Sequence, residues 1–118
     1  MKKIILYSYL KCSTCRKAAK WLKSKDFEFQ LIDIVKEPPL AKYLNLALKQ
    51  YSEDKKTIFN TRGKAFKTIN LDINGLSREE IIQLLLSDGK LIKRPFLIYE
   101  EEKVILGFNE IVYSKQFI

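Results

Sequence analysis

Within its first 35 residues the chain changes hydrophobic period twice, and that leaves few folds open. Lys3 to Tyr9, rich in isoleucine and tyrosine, reads as a strand ended by the polar Lys11-Cys12-Ser13 stretch. From Ser13 the period lengthens. Cys15, Ala18, Ala19 and Leu22 fall at i, i+3, i+4 and i+7, one apolar helix face, while Lys17, Lys20 and Lys23 take the others. Phe27 to Val35 alternates and then runs apolar, a second strand. Strand, helix and strand in so short a span make a βαβ unit, whose crossover predicts parallel strands.

Glu37-Pro38-Pro39 stops the pattern, because proline restricts both itself and the residue before it. Leu40 to Tyr51 is helical by period, with Leu40, Tyr43, Leu44, Ala47, Leu48 and Tyr51 on one side. Asn60 or Thr61 is expected to cap a short helix running to about Ile69. Ser77-Arg78-Glu79-Glu80 is a capping-box sequence, and Asp88-Gly89 ends the helix it starts. Pro95 opens a strand over Phe96–Tyr99, Glu100–Glu102 is its turn, and Lys103–Leu106 returns. Gly107 breaks the hairpin before a last helix from Asn109 to about Lys115. Parallel strands first and an antiparallel hairpin last predict an α/β domain: a βαβ-ββα core with a mixed four-stranded sheet and a helical insertion over about residues 40–87. One domain spanning 1–118 is expected, with no repeat or linker.

Composition bounds the chemistry. Hydrophobic residues at 47% and charged residues at 31% argue against disorder. No apolar run approaches the ~20 residues of a membrane span, and Met1-Lys2-Lys3 lacks the rest of a signal peptide, so a cytoplasmic protein without membrane contact is expected. There is no histidine, so proton transfer must use thiols, lysines or carboxylates. The four glycines form no phosphate-binding loop. A net charge of +8 suits anionic partners, but the plainer reading, that lysines merely keep helix faces solvated, accounts for it better.

The two cysteines carry the sharpest signal. Cys12 and Cys15 sit where the first strand hands over to the first helix, two residues apart. Unpaired backbone N–H groups and the positive end of the helix dipole favour thiolate over thiol there, and Arg16 adds charge. Beside a βαβ pattern this spacing reads as a redox pair, with exposed Cys12 attacking and Cys15, one turn in, resolving. Two plainer readings stay open. Cys15 fits a buried small hydrophobe beside an incidental surface thiol, and two chains pooling their thiols would make a four-cysteine metal site. Within one chain, no metal is expected.

Lysine outnumbers arginine 18 to 4, which makes the arginines worth locating. Arg16 follows the second cysteine, Arg62 follows Asn60-Thr61 at the expected helix start, and Arg94 precedes Pro95. In a βαβ-ββα sheet the third strand starts beside the end of the first, so Arg94 and Pro95 are expected to face Cys12. A thiolate with guanidiniums nearby suits an oxyanion or a carboxylate-bearing thiol. The competing reading pairs Arg62 and Arg94 with surface acids.

Several stretches together resemble one family: Cys12-Ser13-Thr14-Cys15-Arg16-Lys17-Ala18 with Trp21-Leu22, then Ile58–Gly63, Leu91–Phe96 and Gly107-Phe108-Asn109-Glu110. They resemble the arsenate-reductase-related (ArsC-like) family, of the type that includes the Spx and MgsR regulators, over nearly the whole chain and in order. The resemblance implies a thioredoxin-like fold with a helical insertion and an Arg94–Pro95 peptide facing the active cysteine. Glutathione-coupled arsenate reductases resemble this chain at Cys12, Arg62 and Arg94. They carry a third arginine where Gly107 stands and lack a cysteine matching Cys15. Spx-type regulators share Cys12, Cys15, Arg16 and the Gly107-aromatic step, and the resemblance implies a disulfide switch that binds the C-terminal domain of the RNA polymerase α subunit. Their contact glycine is missing from Ser52-Glu53-Asp54-Lys55, as is a longer basic tail after Ile118. The leading expectation is a thiol-coupled reductase. Cys12 and Cys15 react, and Arg16, Arg62, Arg94 and Pro95 hold a small anionic or thiol substrate. A glutathione-like thiol or thioredoxin supplies electrons, and no other cofactor is bound. The alternative is the regulator, acting through RNA polymerase without sequence-specific DNA contact of its own.

Overall fold

Alternation along the first strand distributes its side chains to two cores, and the rest of the chain is arranged around that division. In a computed structural model, which describes residues 3–118, this strand is β1 (Ile4–Ser8). The basic Met1-Lys2 start discussed above lies outside the described residues. Ile5 and Tyr7 enter one core, and Ile4 and Leu6 enter the other. Helix α1 (Ser13–Ser24) crosses over to β2 (Gln30–Asp33), which pairs parallel with β1, as the βαβ pattern predicts. β3 (Phe96–Tyr99) pairs antiparallel on the other side of β1 and β4 (Lys103–Leu106) closes the sheet, in the order β2-β1-β3-β4.

One face of the sheet is covered by α1 and the last helix, α5 (Glu110–Phe117). Ala18, Trp21, Leu22, Tyr113 and Phe117 pack there on Leu6, Leu97 and Ile105. The other face is covered by the insertion: α2 (Ala41–Gln50), α3 (Lys64–Ile69) and α4 (Arg78–Ser87), joined by short 3-10 turns. Tyr43, Leu44, Ala47, Leu48, Ile81 and Leu85 form its buried face. Burial of this kind stabilises by roughly 1.5–3 kcal/mol per large apolar side chain.

The capping box forms in full, with the Ser77 hydroxyl accepting from the Glu80 amide and the Glu80 carboxylate accepting from the Ser77 amide. Two boundaries differ from expectation. β2 covers only Gln30–Asp33, and it ends there because the Asp33 carboxylate accepts from the amides of Val35 and Lys36 and curls the chain into a turn. Helix α3 starts later than expected and is capped by Gly63, not by Asn60 or Thr61. The Asn60 amide is held by the Leu91 carbonyl, and the Asn60 side chain lies over Gly63, where a Cβ would meet its Nδ2 at 2.6 Å. Arg62 therefore sits in the turn before α3 instead of opening the helix. No helix among the described residues is long and apolar enough to cross a membrane.

Candidate functional site

The chain leaves β1 through a tight turn in which the Cys12 amide donates to the Tyr9 carbonyl at 2.9 Å. That turn makes Cys12 the N-cap of α1. Its backbone is extended and its sulfur accepts from the Cys15 amide at 3.2 Å. A side-chain acceptor at this position satisfies one of the orphan amides of the first turn. A negatively charged sulfur gains further from the helix dipole. Cys12 is half-buried and Cys15 fully buried, and neither is in a disulfide. Burial first, and then the neighbouring Cys12 sulfur, push the Cys15 thiol up to about 12; hydrogen bonds from the Tyr9 backbone and the Ser8 hydroxyl act the other way. At neutral pH Cys15 is thus a protonated thiol beside the cap sulfur.

Arg16 turns back on this loop and donates from Nη1 to the Leu10 carbonyl at 2.7 Å, which holds the cysteine turn closed. Arg94 precedes β3, and its guanidinium carbon lies 5.0 Å from the centre of the Tyr9 ring, a cation–π contact. Its Nη1 reaches the Lys90 carbonyl only at 3.4 Å. Pro95 is buried and follows a cis peptide, and its carbonyl accepts from the Gly107 amide at 2.9 Å. The described contacts thus join Cys12 to Cys15 directly, and bring in Arg16 through Leu10 and Arg94 through Tyr9. They do not join Arg62, which is exposed and has no hydrogen-bond or ion-pair partner among the described residues. The antiparallel bridge between Phe59 and Ile92 ties the segment before Arg62 to the segment before Arg94. Arg78, the capping-box arginine, donates to Asn45 on α2.

Two participants were missed by sequence reasoning. Tyr9, read only as the strand's last residue, supplies both the carbonyl for Cys12 and the ring beneath Arg94. Tyr113 is fully buried, and its hydroxyl donates to the Gly107 carbonyl at 3.2 Å. Burial, with a smaller push from Cys15, raises the Tyr113 hydroxyl far above its ordinary value. Periodicity alone would have marked Tyr113 as core. A groove of about 340 Å³ runs alongside the cysteine turn, lined by Tyr9, Leu10, Cys15, Ala19, Leu31 and Asp33 among others. Among the described residues no three His, Cys, Asp or Glu side chains are placed to hold a metal ion.

A cysteine pair at the junction of a central strand and its crossover helix, on a mixed four-stranded sheet with a hairpin beside it, defines a thioredoxin-like thiol protein. Residues 7–116 match the model of the ArsC family, and the chain belongs to that family. It is 41% identical to the uncharacterized protein YusI of Bacillus subtilis, over 91% of this chain and 92% of that one. It is 35% identical to the global transcriptional regulator Spx of Lactiplantibacillus plantarum, over 91% of this chain and 80% of the regulator. A crystal structure of a possible arsenate reductase from Streptococcus mutans superposes with a TM-score of 0.87 at 36% identity, covering 97% of this chain and 98% of that one.

Proposed function

We propose that the protein is a cytoplasmic thiol–disulfide oxidoreductase in which Cys12 is the nucleophile and Cys15 the resolving thiol. The observation that carries this reading is the Cys12 sulfur capping α1 beside a fully buried Cys15. Cys12 as thiolate attacks one sulfur of a substrate disulfide. That bond breaks, a mixed disulfide forms on Cys12, and one substrate thiolate leaves and takes a proton. Cys15 then loses its proton and attacks the Cys12 sulfur, releasing the second thiol. Two electrons pass to the substrate, which becomes two thiols, and the protein becomes the Cys12–Cys15 disulfide. A glutathione-like thiol or thioredoxin then reduces it. Arg16 and Arg94, with Pro95 at the start of β3 and Arg62 on the neighbouring turn, would hold an anionic or thiol substrate.

The test is mild oxidation followed by mass spectrometry. The oxidised monomer is expected to lose two hydrogens and resist alkylation, and Cys15→Ser is expected to accumulate a mixed disulfide on Cys12. A chain that oxidises only to intermolecular dimers would overturn the reading.

The relationship to Spx supports a second reading, in which the same disulfide changes the affinity of a regulator for the C-terminal domain of the RNA polymerase α subunit. Gel filtration with that domain, with and without reductant, separates the two. Redox-dependent co-elution without turnover in a thiol-coupled assay identifies the regulator.

A further inference from the structure

The two edges of the sheet are treated differently. On the β4 edge the side-chain amide of Gln50 takes both backbone groups of Val104, accepting from its N–H at 2.7 Å and donating to its C=O at 2.9 Å. A side chain there occupies the place of a further strand. The β2 edge carries no such cover among the described residues. The Ile34 amide donates to the Ser8 carbonyl at 2.9 Å. Alternation along a parallel ladder then turns the amides of Gln30 and Ile32 toward β1 and those of Leu31 and Asp33 outward. An open edge of this kind is a template for another extended chain.

The surface next to that edge is apolar and extends to Cys15 and Arg16 in the first turn of α1, next to Cys12 in the chain. Leu31 is in register with Leu6, whose side chain enters the α1-side core, so Leu31 projects on the α1 face. Leu31 is 59% exposed and Leu10 is 83% exposed, and both line the groove that extends to Cys15. Single exposed leucines are ordinary, but these two stand together on the lips of one groove beside an unpaired edge. Its rim carries both signs, with Asp33 on the β2 side and the basic residues beside the cysteine turn. Arg16 uses one N–H on Leu10 and presents the rest of its fork, Lys11 is exposed beside it, and the whole chain carries +8.

We propose that this groove and the β2 edge dock an extended, cysteine-bearing segment of a protein substrate, with an apolar residue seated between Leu10 and Leu31 and an acidic residue facing Arg16. Backbone hydrogen bonds to Leu31 give the segment its direction, and the side-chain pocket gives it selectivity. The inference rests on the thiol–disulfide reading and narrows its substrate class to peptide disulfides. The exchange is the one written above: the segment's disulfide is reduced to two thiols as Cys12 and Cys15 are oxidised.

The test compares two nitrothiobenzoate mixed disulfides with the full chain. One is carried on a peptide with leucine and glutamate flanking its cysteine, the other on β-mercaptoethanol. Release of nitrothiobenzoate is followed by absorbance. Leu31→Glu is expected to slow the peptide reaction by about tenfold or more, the scale of one lost apolar anchor. The small disulfide should change by less than about twofold, since Leu31 is exposed and outside the cysteine turn. N-methylation of the peptide's backbone amides should mimic Leu31→Glu. Equal rates for wild type and Leu31→Glu on the peptide would overturn the docking proposal while leaving the oxidoreductase reading intact. Absence of Cys12-dependent release from either probe would instead remove that reading, and the proposal with it. Sedimentation of the protein alone covers the remaining occupant: a dimer that Leu31→Glu dissociates would assign the edge to a second copy and overturn the proposal.

Discussion

The amide of Cys15 donates to the sulfur of Cys12 over 3.2 Å, so one reactive cysteine is also the N-cap of the helix that carries the other. Capping and reactivity are thereby tied to one atom. Cys12→Ser keeps a side-chain acceptor at the cap, whereas Cys12→Ala removes it. Urea denaturation of the reduced proteins should place Cys12→Ala about 1 kcal/mol below Cys12→Ser. Equal midpoints at equal slope would mean that the 3.2 Å contact contributes nothing to the fold.

What the residues themselves reveal divides along a physical line. Strong local signals place elements to the residue: Pro95 begins β3 at Phe96, the Glu100–Glu102 turn returns the chain into Lys103–Leu106, and Ser77 with Glu80 starts α4. Cys12 and Cys15 stand out because a short-range spacing falls on a change of period. Long-range competition hides the rest. Asn60 is a good cap residue by type, yet its amide goes to Leu91, thirty-one positions on, and the cap passes to Gly63. Tyr9 joins the cysteine turn through its carbonyl, and Tyr113 holds the Gly107 carbonyl with a buried hydroxyl; neither contact has a signature in residue order. Arg16 braces the Leu10 carbonyl, a contact set by loop geometry that residue order does not show.

Cys15 makes alkaline stability diagnostic. Its thiol is raised from an ordinary 9.0 to about 12, so below pH 9 folded and unfolded chains both hold the proton and stability does not depend on it. Between pH 9 and 12 the unfolded chain releases the proton and the folded one retains it, and stability falls by about 1.4 kcal/mol per pH unit from this group. Tyr7, Tyr43 and Tyr113 are raised too and add to the loss. Cys15→Ala should therefore lose stability with a shallower slope than wild type across this window, from a lower starting value. Parallel slopes in urea titrations at successive pH values would show that the buried thiol does not titrate as described.

Gly89 follows the end of α4, and its place in the fold asks for more than helix termination. A Cβ there would lie 2.1 Å from the Ile34 carbonyl oxygen and 2.9 Å from the Val35 Cα, both backbone atoms of the turn that Asp33 caps. Relief would require moving the Gly89–Leu91 turn, whose Leu91 carbonyl holds the Asn60 amide at 2.8 Å. Gly89→Ala is expected to cost about 3 kcal/mol, at the upper end for overpacking. The check is the denaturation midpoint. A change below about 0.5 kcal/mol, the range of ordinary surface substitutions, would show that the two segments separate freely.

Arg94 offers the sharpest test of whether the cysteine site meets anions. Its guanidinium is held over Tyr9, whose carbonyl receives the Cys12 amide, and its one backbone contact is long, so most of its donors are available to a ligand. Arg62 is likewise unpartnered among the described residues, whereas Arg78 is engaged by Asn45 and serves as the control. Sulfate, phosphate or arsenate should protect Cys12 from alkylation. Each charge-assisted hydrogen bond contributes about 1.5–3 kcal/mol when well formed, so Arg94→Ala should weaken protection roughly tenfold or more, and Arg78→Ala should leave it unchanged. Gly107 stands where the resemblance to arsenate reductases implies a third arginine, which sets the expected affinity in the millimolar range, on the order of 4 kcal/mol. Protection must therefore be titrated above that range, with chloride at matched ionic strength to remove screening. Equal protection by chloride, or identical titrations for the Arg94 and Arg78 variants, would reduce the arginines to surface charge. Arg62→Ala completes the series. Weaker protection in that variant as well would bring the turn before α3 into the anion site, and an unchanged titration would leave Arg94 to act without it.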